Sequence, residues 1–381
     1  MIPLRYRLAL GVAFGFLLSV LSSPPASALP IYASREGAKC VSCHFDPNGG
    51  GIRNDFGFTY GKNRHSMEPE DRWADVTVNP QLNEWIRLGV DTRITYIASH
   101  VHGDASTLTT STFFPMQANL RVAVTPLDYL SIVGSHGLYL QSGGTASAPY
   151  LAREWYGLFH GLPYNAFVQV GKFRSPFGLR QDDHTSFLRT ADFLSFDSQV
   201  EDAGIAVGST GRNGWFELSY TNGDGAFEER AQAFTGKVAW SYPWLQGGVS
   251  GYHRYDEFDD FGFPEGTSID RWSLYLTRTF GPLTLLGEYG RGTTEGSFAT
   301  VNNDAAFAEA VYRVNRGVQV RGKFDWMDTN RGPGGSIAKR YMGQLDLIPM
   351  PFVQVQLAAR YYEYEFAPEV HEYVGMLFLP F

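Results

Sequence analysis

The sequence predicts an all-β fold, an antiparallel barrel of about sixteen strands of the outer-membrane type, preceded by a short N-terminal segment of another kind. Three observations carry that expectation. Aromatic residues make up 15% of the chain and glycine contributes 42 positions against only 18% charged residues, a balance that suits many short strands joined by turns better than a soluble enzyme. From Leu82 onward apolar and polar residues alternate with the period of two that a strand imposes. The chain also opens with an export leader. Its 381 residues allow either two domains or one large barrel.

The leader comes first in order. Arg5 and Arg7 precede an apolar run over residues 8–20 and then Ala26-Ser27-Ala28, which reads as a signal peptide spanning residues 1–28. The apolar core falls short of the roughly 20 residues that a spanning helix needs. No later stretch is long and apolar enough for one either, so a membrane-spanning chain has to be a barrel. A net charge of −8 with no basic stripe argues against nucleic acid as a partner.

Both cysteines lie in Cys40-Val41-Ser42-Cys43-His44, a C-x-x-C-H motif. The spacing suits covalent attachment of one c-type haem: two thiols three residues apart face the same side and can add to the two vinyl groups, while the adjacent imidazole reaches the iron. A zinc site would want a second ligand pair at matching spacing, and a thioredoxin-like pair would want a βαβ context; neither is present in the sequence. Cys40 and Cys43 are therefore the expected covalent attachment points and His44 an axial ligand. For the second axial position, His65 and Met67 follow the Gly49-Gly50-Gly51 stretch and are both candidates, with a ligand from the barrel or an open site as alternatives.

Around this motif, residues 32–44 run Tyr-Ala-Ser-Arg-Glu-Gly-Ala-Lys-Cys-Val-Ser-Cys-His, and Asn54-Asp55-Phe56-Gly57-Phe58-Thr59-Tyr60-Gly61-Lys62-Asn63 follow. The segment resembles the single-haem portion of a family of exported cytochromes that includes fused cytochrome-porins such as the outer-membrane iron oxidases. The close resemblance covers a few dozen residues, and the remainder matches in architecture. The Phe45-Asp46-Pro47-Asn48-Gly49 run departs from the iron-oxidase pattern, which leaves the substrate of that type open.

The barrel follows from residue 81. Leu88, Val90, Ile94 and Tyr96 alternate with Arg87, Asp91, Arg93 and Thr95, and Val318, Val320, Phe324 and Trp326 alternate with Gln319, Arg321, Lys323 and Asp325. An outer-membrane barrel turns the apolar face to lipid and the charged face to the lumen. Residues 371–381, with Tyr373, Leu377, Leu379 and Phe381 on one face, resemble the C-terminal recognition strand of bacterial outer-membrane barrels. Tight turns are expected at Pro126-Leu127-Asp128, Leu162-Pro163-Tyr164, Arg212-Asn213-Gly214, Pro243-Trp244, Gly281-Pro282, Asn315-Arg316 and Pro349-Met350-Pro351. Short turns belong on the periplasmic side, with the N-terminal segment and Phe381 beside them. Residues 175–200 form the longest connection and the third outer loop. The flanking residues 171–178 resemble a porin strand-end motif, which implies a loop folded into the pore.

Arg87, Arg93, Arg121, Arg321, Lys323 and Arg360 sit on the polar faces of strands from both ends of the chain, which become neighbours when a barrel closes. They are read either as partners for haem propionates or as partners for Asp91, Asp325 and Asp346. Acidic clusters at Asp182-Asp183-His184, Glu228-Glu229, Asp256-Glu257 and Asp259-Asp260 fall in outer loops and suit divalent ions or the usual acidic loops of barrels. Together, a monohaem segment over residues 29–80, expected as a plug, and a barrel over 81–381 imply an electron-transfer protein of the bacterial outer membrane, surrounded by its lipid. Its expected partners are an extracellular donor or acceptor, ferrous iron or another metal ion among them, and a periplasmic c-type cytochrome or other carrier. The alternative is a passive diffusion porin with a periplasmic haem-bearing segment. No catalytic residue stands out, so a metal oxidoreductase and a plain electron carrier both stay open.

Overall fold

The computed structural model describes residues 30–68, 79–103, 106–138, 150–181, 183, 185–189, 201–223, 231–242, 244–256, 267–296, 299–332 and 334–381. The signal peptide expected over residues 1–28 lies outside them, as do all the acidic-cluster residues except Asp183 and the backbone of Asp256.

Two helices come first, α1 (Pro30–Glu36) and α2 (Asp55–Arg64), with a single 3-10 turn (Cys40–Ser42) between them. Sixteen strands follow: β1 (Ile86–His102), β2 (Thr107–Leu127), β3 (Leu130–Leu138), β4 (Tyr150–Leu162), β5 (Ala166–Phe173), β6 (Asp202–Thr210), β7 (Gly214–Thr221) and β8 (Ala231–Tyr242). The second half comprises β9 (Leu245–Asp256), β10 (Thr267–Phe280), β11 (Leu283–Glu295), β12 (Thr300–Asn315), β13 (Val318–Asp328), β14 (Ile337–Met350), β15 (Val353–Tyr364) and β16 (Glu369–Pro380). Each strand pairs antiparallel with the next, and β1 pairs with β16 from Asp91↔Pro380 to His102↔Glu369, so the barrel has no free edge.

Period-two patterning sets which face each side chain takes. On β13, Val320 and Phe324 stay 47% and 38% exposed on the outer wall, while Lys323 and Asp325 are buried inside. β1 does the same, with Tyr96 outward and Arg87, Arg93 and Thr95 inward. An apolar outside around a polar inside is the reverse of a water-soluble sandwich and matches an outer-membrane barrel. All seven expected turn sites fall between consecutive strands, from β2–β3 to β14–β15, and all seven lie at the same end of the barrel. At the β14–β15 turn, Phe352 adopts a left-handed φ of 63° and is held there by stacking on Phe58 of α2, at 4.9 Å between ring centroids, and by Phe381 at 5.6 Å.

Residues 30–68 occupy the lumen at this short-turn end. Lys39 Nζ donates to the Gly211 carbonyl, and Gln246 Nε2 donates to the carbonyls of Ala33 (2.9 Å) and Ala38 (3.1 Å). Ser34 meets Thr279 at 3.0 Å, Arg35 Nε donates to Thr284 Oγ1 at 3.2 Å, and Gln319 Nε2 donates to Tyr32 Oη at 3.2 Å. Asn48 Nδ2 donates to Glu217, and Lys237 Nζ donates to Asn48 Oδ1 at 3.2 Å.

The connection between β5 and β6, the third long loop, turns inward over its described residues. Arg189 pairs with Glu288 at 2.8 Å, Ser186 Oγ donates to Asp325 at 3.1 Å, and Asp183 takes Lys323 and Arg340, each at 2.7 Å. Plug and loop meet where Arg180 pairs with Asp46 at 2.6 Å. The Asp46 turn makes this contact, with Gly49 N donating to the Asp46 carbonyl and Asn48 N to Asp46 Oδ1.

Candidate functional site

The C-x-x-C-H motif winds into the 3-10 turn because Cys43 N and His44 N both donate to the Cys40 carbonyl at 3.1 Å. A glycine turn then brings the chain back on itself. Gly49, Gly50 and Gly51 all have positive φ, and a Cβ at Gly49 would come within 2.9 Å of the Cys40 Cβ, so the turn can press against the first cysteine only as glycine. The returning strand forms an antiparallel bridge from Arg53 to His44.

Asn54 ties this turn to α2. As N-cap it accepts from Gly57 N at 3.0 Å, its own N–H donates to the Cys43 carbonyl at 2.9 Å, and its Nδ2 donates to the Val41 carbonyl at 3.2 Å. α2 lies so close that a Cβ at Gly57 would collide with the Cys43 carbonyl. The Phe-Gly-x-x-aromatic run of the sequence thus has a physical reason: glycine permits the close approach, and Tyr60, one turn later, meets the ring of His65.

His65 sits just beyond the end of α2. Tyr32 stacks on its ring at 4.0 Å and Tyr60 meets it edge-on at 5.0 Å, so the imidazole is clamped in one orientation. Its Nε2 is buried without a hydrogen-bond partner, as is His44 Nδ1. Burial, with Arg53 and Arg180 adding to it, pushes His44 down to about 3; burial with Arg53 and Arg35 does the same for His65. Both imidazoles are therefore neutral, the form that ligates metal. Burial pushes the Cys40 thiol up.

Two adjoining cavities face these groups. One of about 130 Å³ is lined by Cys40, His44 and the glycine turn; the other, about 280 Å³, is lined by His65 and Tyr32 on the plug and by apolar side chains including Phe114, Met116, Val374 and Phe378 on the wall. Arg53, Arg93, Arg180 and Phe378 line both. Together they reach the lower end of the roughly 300–1,000 Å³ range of ligand pockets. The two candidates for the second axial position lie differently: His65 lines the larger cavity, whereas Met67 is 39% exposed, lines neither cavity, and packs by its backbone against Ile348 and the Gly317 turn.

The basic strip does converge on the lumen, but carboxylates of the chain itself take up much of its charge. Arg87 pairs with Asp55, Arg121 with Asp91 (2.6 Å) and Glu154 (3.4 Å), Arg321 with Glu309 (2.9 Å) and Asp346 (3.0 Å), Lys323 with Asp183 and Asp325, and Arg360 with Glu372 (3.6 Å). Arg93 lies over the Phe378 ring at 4.2 Å. Arg53 and Tyr32, which sequence reasoning did not single out, are closer to the candidate ligands than most of that strip. Among the described residues no cluster of three or more His, Cys, Asp or Glu side chains is placed to hold a metal ion.

No family model matches the chain, and no curated protein matches it in sequence. Solved structures with a similar fold include a loop-deletion form of OmpT, an outer membrane protein of Vibrio cholerae, at 11% identity and a TM-score of 0.59 over 78% of this chain and 100% of that one. An anion-selective porin from Comamonas acidovorans matches at 12% identity and a TM-score of 0.60, over 78% of this chain and 100% of the porin. OprB of Pseudomonas putida matches at 10% identity and a TM-score of 0.56, over 84% of this chain and all of its own. At such identities the likeness is one of fold.

Proposed function

We propose that this chain is an electron-transfer protein of the bacterial outer membrane, a fused cytochrome-porin whose single haem c is held in the barrel lumen. The observation that carries the reading is the placement of the C-x-x-C-H motif: inside a barrel, on a plug, beside a cavity that adjoins the one a second, clamped histidine faces. The residues fit the group. Cys40 and Cys43 would hold it covalently, His44 and His65 offer neutral imidazoles with unpartnered nitrogens, and Phe114, Met116 and Phe378 supply an apolar face. Haem bound there supplies reversible one-electron chemistry.

The protein's own part is to hold and insulate. Tyr32 and Tyr60 fix the His65 ring, and the plug and inward loop pack the lumen around the site. On the side of the short turns, read as periplasmic, Phe56 is 55% exposed and stacks at 6.2 Å on Tyr60, which reaches His65. That aromatic chain supports docking of a periplasmic carrier, a c-type cytochrome among them, at this mouth. The extracellular partner is a small donor or acceptor, with ferrous iron or another metal ion as the chemistry to try first. A passive diffusion porin is the alternative that the fold alone allows, and it needs an open lumen; the plug and the Arg180–Asp46 contact favour the conduit instead.

The test is a denaturing gel stained for haem peroxidase activity, with optical spectra of the purified protein. A stained band that survives acid-acetone extraction, and is lost in Cys40→Ala/Cys43→Ala, is the expected result. A chain without bound haem that passes ions freely would sink the reading in favour of the porin.

A further inference from the structure

Most of the lumen arginines have a carboxylate within reach, and Arg53 is the exception nearest the site. Arg174 takes Glu154 and Glu201, and Arg180 takes Glu154 and Asp46; Arg340 takes Asp183 and Asp325; Arg189 takes Glu288. Arg53 makes one hydrogen bond among the described residues, from Nη1 to the Pro380 carbonyl at 3.4 Å, and no ion pair among them. It nonetheless sits inside the barrel, lines both cavities, and bridges by its backbone to His44. The carboxylate whose charge reaches Arg53, Asp91, is already paired with Arg121 at 2.6 Å, and a half-buried cation with no anion of its own is destabilising and marks where a negative group belongs.

The surroundings are shaped for that side chain. A Cβ at Gly61 would come within 3.1 Å of Arg53 Nη1, so α2 leaves room for the guanidinium by carrying glycine there. Arg53 lines both adjoining cavities, the one that His44 lines and the one that His65 lines, and a guanidinium there can bind a carboxylate through two parallel hydrogen bonds. The only group that the proposed function brings to this cavity carries two carboxylates of its own, the haem propionates. We propose that Arg53 anchors one haem propionate and raises the reduction potential of the site. The inference rests on the cytochrome reading above. Its sign follows from charge: a guanidinium that offsets a propionate favours the ferrous state, which carries one positive charge fewer at the metal than the ferric state.

The experiment is spectroelectrochemical titration of the full-length purified protein and three variants, Arg53→Gln, Arg53→Lys and Arg321→Gln. Arg53→Gln should keep its covalent haem and shift the ferrous-ferric equilibrium toward ferric by about tenfold, which is ~59 mV for one electron. Arg53→Lys, which keeps the charge but loses the fork, should shift it less. Arg321→Gln should shift it least, because Glu309 and Asp346 already pair with Arg321. Equal shifts in the two Arg53 variants, or none in either, would overturn the proposal while leaving the cytochrome reading intact. A wild-type chain that carries no covalent haem overturns both.

Discussion

Across the lumen from each other, two stretches of barrel wall treat the plug differently. The wall from β7 to β11 is stitched to residues 33–48 by Asn48–Glu217, Lys237–Asn48, Gln246–Ala38, Ser34–Thr279 and Arg35–Thr284. The wall of β14, β15, β16, β1 and β2 meets the plug mainly at its rim, through Arg87–Asp55, Phe352–Phe58 and Met67–Ile348, and above that rim it lines the larger cavity. The plug is thus fastened most densely on one side and leaves space on the other, and His65 and Arg53 line that space. A lumen filler that served only to close the barrel would gain by packing both walls, since each buried methylene contributes about 0.8 kcal/mol. Leaving one wall unfilled makes sense if something else occupies it.

Removing the plug breaks the comparison outright and should have the largest effect. Deletion of residues 30–68 removes every stitch on the β7–β11 wall but none of the strand pairs that close the barrel. The expected product is a heat-modifiable, protease-resistant barrel whose single-channel conductance in planar bilayers rises several-fold. Conductance equal to that of the full chain would mean that the inward loop alone closes the pore.

Replacing the two residues that flank the end of α2 tests the open side next. With haem bound as proposed, His65→Ala should convert its optical spectrum from a six-coordinate to a five-coordinate or water-ligated type, because it removes an imidazole that faces the cavity. Met67→Ala should leave that spectrum unchanged, since Met67 lines neither cavity. The opposite outcome would put the methionine at the iron and the plug in another arrangement.

How much of this could be read from the chain divides along the same line. Strands were legible because period-two patterning is local: Val320, Phe324 and Tyr96 face out and Lys323, Asp325 and Arg93 face in, as alternation requires. The seven turns were legible because proline, glycine and asparagine mark backbone conformations directly. The C-x-x-C-H motif was legible as a spacing. His65 and Met67 could not be separated, because their difference is set by where α2 ends against the β12–β13 turn, a contact between residues some 250 positions apart in the chain. The basic strip was found but its partners only in part. Asp91, Asp325 and Asp346 lie on strands that alternation orients, whereas Asp55 and Asp183 pair with it through plug and loop. Arg53 was missed because an arginine between a glycine turn and a helix carries no pattern at all.

Acid should sharpen the contrast further, with a smaller effect. Burial alone would raise Asp183, but Lys323 and Arg340 hold it well below the usual carboxylate range. A carboxyl whose folded value is depressed contributes stability that is present above its unfolded value, about 3.9, and is lost only as pH falls through the lower folded value. The inward loop should therefore stay latched from pH 7 down to about pH 4, with conductance flat over that window. Asp183→Asn should raise conductance across the whole range, because Lys323 and Arg340 then lose that charge. A rise in wild-type conductance between pH 6 and pH 4 would show that another group holds the loop.

The smallest effect should come from Asn54, and it probes whether the plug melts on its own. Its side chain caps α2 through Gly57 N and holds the C-x-x-C-H turn through the Val41 carbonyl, yet it makes no hydrogen bond with the β7–β11 wall among the described residues. Losing an N-cap typically costs about 1 kcal/mol. If plug and barrel unfolded as one unit, that cost would be diluted in the far larger cooperative transition of sixteen closed strands and would hardly move it. A plug fastened most densely on one side should instead open locally, at a free energy well below that of the barrel. Asn54→Ala is then expected to lower the midpoint of a haem-reported thermal transition by several degrees while the heat-modifiability of the barrel on gels stays at the wild-type temperature. Coincident shifts in both readouts would show one cooperative unit and would remove the distinction between the two walls.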